Sequence, residues 1–243
     1  MILVIKHVIS EGPGLLADFF KEKKFQLKVV ELQKGQKLPE STNGFSAVIS
    51  MGGPMSVYEE NKYPFLKDED RFLKEVVKKE IPFLGVCLGA QLLAKASGAK
   101  VKKGPCKELG WFKVSLTDEG IGDLLFAGIG KELNVFQWHE DEFEIPKNGE
   151  LIAIGDTYKN QAFRLGKYTW GLQFHIEAKP PMVETWLEQD LSGNDEVKAG
   201  QAEKIISETY KIYEQFKKQA TKIFSNFHQS ILEKAQFSPQ EKS

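Results

Sequence analysis

Four short apolar runs, at residues 2–5, 27–30, 47–49 and 82–86, alternate with helical patterns at 15–20 and 65–77. Runs apolar at consecutive positions suit strands covered on both faces, and parallel neighbours need a crossover long enough to hold a helix. The alternation therefore predicts an α/β fold, with a mostly parallel central sheet and helices on both faces. After residue 100 the pattern changes. Residues 111–116, 133–136, 151–154, 162–165 and 169–174 read as strands with little helix between them, and are expected to add extra antiparallel strands at one edge. No repeat, low-complexity tract or Gly/Ser linker marks an interior boundary. A chain of 243 residues that is 41% hydrophobic suffices for a sizeable core.

The segment 196–234 is polar but carries Ile205, Ile206, Tyr210, Tyr213, Phe216, Phe224, Phe227, Ile231 and Leu232 at helical spacings. It predicts a long amphipathic C-terminal helix, or two broken near Ala220. Packing on its own domain is favoured over a partner contact or homodimer. The chain thus divides into a main domain at 1–190 and a helical extension at 191–243, with 237–243 read as a frayed tail.

Lys+Arg 33 against Asp+Glu 34 gives a formal net charge of -1, so no broad basic field is present to hold nucleic acid. The opening MILVIKHVIS is too short for a secretory core, and no stretch reaches the roughly 20 apolar residues of a membrane helix. A cytoplasmic protein without membrane contact is expected, with Cys87 and Cys106 as free thiols in a reducing compartment.

The chemistry is carried by Ile81-Pro-Phe-Leu-Gly-Val-Cys-Leu-Gly-Ala-Gln91, a buried-strand run entering a helix through Gly85-x-Cys87-x-Gly89. This has the form of a nucleophile elbow with cysteine in place of serine. The helix beginning at Leu88 points free N–H groups and its positive dipole end at the sulfur, favouring thiolate. An ordinary tight turn around an inert thiol uses the same spacing. Gly171-Leu-Gln-Phe-His-Ile-Glu177 adds His175 at a strand end with Glu177 two residues on. Positions i and i+2 of extended chain share a face, so the carboxylate can orient the imidazole. An elbow cysteine with a strand-end His-x-Glu is hard to explain as packing and predicts a Cys87/His175/Glu177 triad. In Ser50-Met-Gly-Gly-Pro-Met55, adjacent glycines after a strand suit an oxyanion hole, with Gly53 N–H acting beside Leu88 N–H; alone, the segment would be a simple turn.

Together these segments resemble the class I, triad-type glutamine amidotransferases over about residues 1–190. Gln137-Trp-His-Glu-Asp-Glu-Phe143 is similar to the family's segment near the glutamine site, and Asn160-Gln-Ala-Phe163 also fits. The resemblance is nearest to stand-alone members close to the GMP-synthase amidotransferase domain, a group that includes gamma-glutamyl peptidases. It departs at Ile176, where proline is usual. The resemblance implies Cys87 as nucleophile, His175 as general acid and base, Glu177 as its orienter, and Gln91, Gly53, Gln137 and His139 near the substrate. For His139 a structural role in shaping its loop is favoured over direct contact. His7 and His228 have no motif around them.

The implied reaction releases ammonia from glutamine through a cysteine thioester. No metal or other cofactor is expected: Gly128-Ile-Gly130-Lys131 lacks the phosphate-loop pattern, and no His/Cys cluster has zinc spacing. The expected partners are glutamine or a gamma-glutamyl compound and, if ammonia is passed on, a separate synthase subunit. The alternatives are a gamma-glutamyl peptidase using the same triad and a non-catalytic metabolite- or partner-binding protein.

Overall fold

The computed structural model describes residues 1–190 and 196–237. Nine strands form one sheet: β1 (Ile2–Lys6), β2 (Leu27–Glu31), β3 (Ala47–Ser50), β4 (Phe83–Val86), β5 (Val101–Leu116), β6 (Glu132–Phe143), β7 (Gly149–Ile154), β8 (Ala162–Leu165) and β9 (Thr169–Leu172). Its order is β2-β1-β3-β4-β9-β8-β7-β5-β6. The helices are α1 (Gly14–Glu22), α2 (Phe65–Lys78), α3 (Leu88–Ala96), α4 (Asp118–Ile121), α5 (Pro180–Asp190) and α6 (Glu196–Phe237).

Side-chain alternation along β1 shows how the layers assemble. Ile2 and Val4 enter a core with Leu16 and Phe20 of α1 and Phe224 and Phe227 of α6. Leu3 and Ile5 enter the opposite core, with Leu66, Leu73 and Val76 of α2 and Leu92 and Leu93 of α3. Helices thus cover both faces of the sheet's parallel half, the arrangement implied by the unbroken apolar runs. The sheet as a whole is mixed, since the pairings from β9 through β8, β7 and β5 to β6 are antiparallel.

One strand of the second half departs from the edge placement. β9 lies parallel beside β4, with Val86 opposite Leu172, and joins the two halves of the sheet. It also ends at Leu172 rather than continuing to 174, because the chain crosses to β6, where His175 N–H donates to Phe136 O at 2.8 Å. The chain ends after β4 and after β9 therefore leave the sheet side by side. β5 and β6 run well beyond 111–116 and 133–136; their outer parts carry exposed residues such as Lys102, Lys103 and Glu140, which hydrophobic patterning does not register.

Within the C-terminal segment, Glu196–Phe237 form one unbroken helix, α6. Ala220 lies buried within it, as do Phe216, Phe224, Phe227 and Ile231, whereas Tyr210 and Leu232 are exposed. Burying each such phenylalanine contributes about 2 kcal/mol. The helix is also fixed by polar bonds to the sheet side: Trp111 Nε1 donates to Thr209 Oγ1 at 2.8 Å, and Asn226 Nδ2 to the carbonyls of Leu125 and Ala127. Of the tail expected at 237–243, Phe237 is the last described residue of α6 and the remainder lies outside the described residues. Among the described residues no helix is long and apolar enough to cross a membrane.

Candidate active site

The strand-to-helix turn after β4 holds Cys87 at φ 51°, a backbone region that side chains other than glycine rarely occupy. The flanking glycines make the turn sterically feasible. A Cβ on Gly85 would lie 2.6 Å from Gly89 O, and one on Gly89 would lie 2.2 Å from Ser50 O. The turn is anchored by Cys87 N–H donating to Leu172 O at 2.8 Å, and by Ala90 and Gln91 N–H donating to Cys87 O. Cys87 is 5% exposed, at the base of a cavity.

Across from it, His175 Nδ1 donates to Glu177 Oε1 at 2.8 Å, with both side chains fully buried. That bond places the Nδ1 proton toward the carboxylate and leaves Nε2 for the sulfur. Nε2 is buried and has no hydrogen-bond partner among the described residues, and the Cys87 sulfur is one of the groups that raise the basicity of the ring. Burial opposes charge on His175, but the Glu177 carboxylate and the sulfur overcome it and hold the imidazole well above its ordinary pKa. Burial leaves the Cys87 thiol above its usual pKa, although His175 pulls it down. Trp186 packs against the imidazole at a ring separation of 4.9 Å, and Ile176 is buried in the core beneath.

Since Glu177 raises the His175 pKa, its removal must lower it. Glu177→Gln is expected to move the imidazole titration to lower pH and to slow turnover by roughly 10²- to 10⁴-fold. The check is the pH dependence of Cys87 alkylation beside that of turnover; an unchanged pH profile would contradict the pairing.

The loop after β1 and the start of α1 close around this pair. Gly14 has φ 39°, and a Cβ there would lie 2.1 Å from Glu177 O; next to it, Leu15 N–H donates to the same carbonyl at 2.9 Å. Ser10 O accepts from Trp186 Nε1 at 3.0 Å. His7, which has no motif around it, lies fully buried here: Nδ1 donates to Gly52 O at 3.1 Å and Nε2 lies 2.7 Å from Glu69 Oε2, whose other oxygen accepts from Ser50 Oγ at 2.6 Å. Burial works against charge on His7, but Glu69 and the Gly52 carbonyl raise its pKa above the usual value. Because the Gly52 carbonyl belongs to the peptide whose N–H is that of Gly53, this network fixes the direction of the Gly53 N–H. Gly53 packs against Leu88, and among the described residues neither backbone N–H has an acceptor.

A buried carboxyl that sequence patterning misses lies in the same loop. Glu11 is 4% exposed and lines the cavity with Cys87. Burial, opposed by His175 and reinforced by Glu177, pushes its pKa up to about 7. The signal available in the sequence is position: polar residues just past the C-terminal end of a parallel strand, where open α/β sheets bind ligands.

The cavity, of about 280 Å³, is also lined by Gly53, Gln91, Trp138, His139 and Asp141. Gln91 Nε2 lies 3.3 Å from both Asp141 O and Gln173 Oε1. His139 presents its ring to the cavity, but Nδ1 is engaged by Asp141 O and Nε2 by Glu108 Oε2, each at 3.1 Å, which suits loop support rather than substrate recognition. Gln137 departs from the expected placement. It is buried away from the cavity lining, with Nε2 donating to Gln161 Oε1 at 2.8 Å, because its position on β6 opposite Gly110 turns it inward. Asn160 and Gln161 likewise brace neighbouring backbone. His228 packs edge-on against Phe19, Phe20 and Phe25, and Cys106 is an exposed free thiol.

The sequence profile described as "Glutamine amidotransferase class-I" matches residues 14–191. The chain belongs to the class-I glutamine amidotransferase family. The chain is similar in structure to a glutamine amidotransferase from Thermotoga maritima, with a TM-score of 0.84, 35% identity and coverage of 93% of this chain and 96% of that one. It is 27% identical over 183 residues, 74% of this chain and 77% of the relative, to a Salmonella typhimurium protein named as the putative glutamine amidotransferase-like protein YfeJ. It is also 34% identical over 149 residues to the glutamine-hydrolysing GMP synthase of Porphyromonas gingivalis; that match spans 60% of this chain and 28% of the synthase.

Proposed function

We propose that this amidotransferase is a cysteine-dependent hydrolase of the glutamine side-chain amide, with residues 1–190 as its catalytic unit and 191–243 as a helical extension. The observation carrying the reading is the Cys87 elbow at positive φ, set against a His175 whose Nδ1 is committed to Glu177 and whose Nε2 has no oxygen or nitrogen partner. A buried unpaired ring nitrogen costs on the order of 1–3 kcal/mol, and a proton exchanged with the Cys87 sulfur during reaction would give this one a use.

In this reading the Cys87 thiolate attacks the amide carbon, and the carbonyl electrons move onto oxygen, where Gly53 and Leu88 N–H groups donate to it. As the C–N bond breaks, the imidazolium gives its Nε2 proton to the departing nitrogen, leaving a thioester on Cys87. The neutral imidazole then takes a proton from water, the hydroxide adds to the thioester carbon, and thiolate leaves with glutamate as product. The ammonia is free to pass to a separate synthase subunit. Gln91 and the cavity walls bind the remainder of the substrate.

The test is product analysis with L-glutamine, a gamma-glutamyl peptide and an ordinary peptide. Glutamate is expected from substrates with a gamma-carbonyl amide, and the ordinary peptide should remain intact. Cleavage of the ordinary peptide in their place would overturn the reading.

A further inference from the structure

The catalytic cavity continues past Glu11. A second cleft, of about 240 Å³, is lined among the described residues by Val8, Ser10, Glu11, Pro54, Trp138 and Gln189, and shares Glu11, Pro54 and Trp138 with the cavity that holds Cys87. Glu11 is the ionisable residue in that lining. Among the described residues it forms no hydrogen bond or ion pair, although only 4% of it is exposed.

Position relative to the imidazole assigns a side to this cleft. A Cβ on Gly52 would lie 2.1 Å from Glu11 Oε2 and 3.0 Å from His175 Cε1, so the carboxyl and the imidazole edge flank one glycine. In the proposed reaction the departing nitrogen must face His175 to receive its proton, whereas the acyl part stays on Cys87 beside Gln91. A leaving group drawn toward His175 therefore meets Glu11, and anything attached to its nitrogen extends into the second cleft. Ammonia would leave that space unused.

Resting on the hydrolase reading above, we propose that this cleft is a leaving-group subsite and that the substrates it fits are gamma-glutamyl amides of primary amines larger than ammonia. A neutral or cationic amine chain is accepted through the Glu11 carboxyl, and one bearing a carboxylate is disfavoured. The bond chemistry is unchanged: the gamma-carbonyl passes to sulfur, the C–N bond breaks, and the amine takes the His175 Nε2 proton and departs along the cleft. A carboxyl that faces an enclosed cleft without a protein partner gains from an arriving donor, and an alkylammonium supplies three N–H donors with charge to match.

The experiment compares kcat/KM for gamma-glutamyl conjugates of a diamine, an alkylamine and an amino acid of matched length, in the wild type, Glu11→Gln and Glu11→Asp. The wild type is expected to favour the diamine conjugate over the amino-acid conjugate by about tenfold or more, a difference of about 1.4 kcal/mol. Glu11→Gln should reduce that ratio to near unity, and Glu11→Asp should restore part of it. Using a ratio separates recognition from any general loss of activity. An equal ratio in wild type and Glu11→Gln, or a wild-type preference for the amino-acid conjugate, would overturn the subsite. A glutamine-like electrophile is applied to the wild type in parallel: failure to label Cys87 would instead overturn the hydrolase reading, and the subsite with it.

Discussion

Replacing Cys87 with alanine is expected to lower gamma-carboxamide hydrolysis by about 10⁴-fold or more, because the remaining groups bind and polarise the substrate but cannot form the thioester. Cys106→Ala should stay within about twofold of the parent, since residual effects of exposed side chains away from a site are small. Cys106 is exposed on β5, whereas Cys87 sits at the elbow beside His175. Steady-state glutamate release by both variants is the check. Equal rates in the two would remove Cys87 from the mechanism. Circular dichroism of Cys87→Ala should match the parent, because the elbow backbone is held by Leu172 and the helix rather than by the sulfur.

The second large effect falls on stability. Gly89→Ala would put a methyl carbon 2.2 Å from Ser50 O and 2.7 Å from Ser50 C, both backbone atoms of a central strand. Those atoms cannot yield as a flexible side chain would. β3 pairs with both β1 and β4, and Gly89 N–H itself donates to Met51 O at 3.2 Å. A loss of about 3 kcal/mol or more is expected, read as a lower denaturant midpoint. Any folded fraction should also alkylate more slowly at Cys87, because α3 must move away from β3. Gly98→Ala makes a useful contrast: no atom lies near its Cβ, and φ of 85° imposes only backbone strain.

The parts of the fold that can be read from the sequence are those that rest on local apolar periodicity. β1, β2, β3 and β4 follow from short buried runs, and α6 follows from the spacing of Phe216, Phe224, Phe227 and Ile231. Placement of β9 does not follow, because a four-residue strand carries no mark of its partner; pairing with β4 is a long-range outcome. The candidate site divides in the same way. Cys87, His175 and Glu177 are legible because an elbow and an i,i+2 pair are local geometries. His7 and Glu11 are single polar residues in an aperiodic loop, and their significance appears only once burial against Glu69, Gly52 and His175 is known. Gln137 fails for the opposite reason: its segment is informative, but side-chain direction depends on pairing with β5, where the register shifts between Lys103 and Glu108.

That His7 and Glu11 belong to one loop gives it a structural purpose beyond linking β1 to α1. It supports the Gly52–Gly53 peptide and presents a carboxyl at the cavity wall, while Leu15 N–H at the start of α1 holds the carbonyl of Glu177. Buried titratable groups of this kind cost stability, and proteins retain such costs mainly at functional sites.

The most direct measurement is intact-mass and peptide mapping after incubation with a glutamine analogue carrying an electrophile at the amide position. A sulfur made reactive by its imidazole neighbour should give one covalent adduct per chain, on Cys87, blocked by excess glutamine. Modification confined to the exposed Cys106, with Cys87 untouched while glutamate is still being released, would contradict the mechanism.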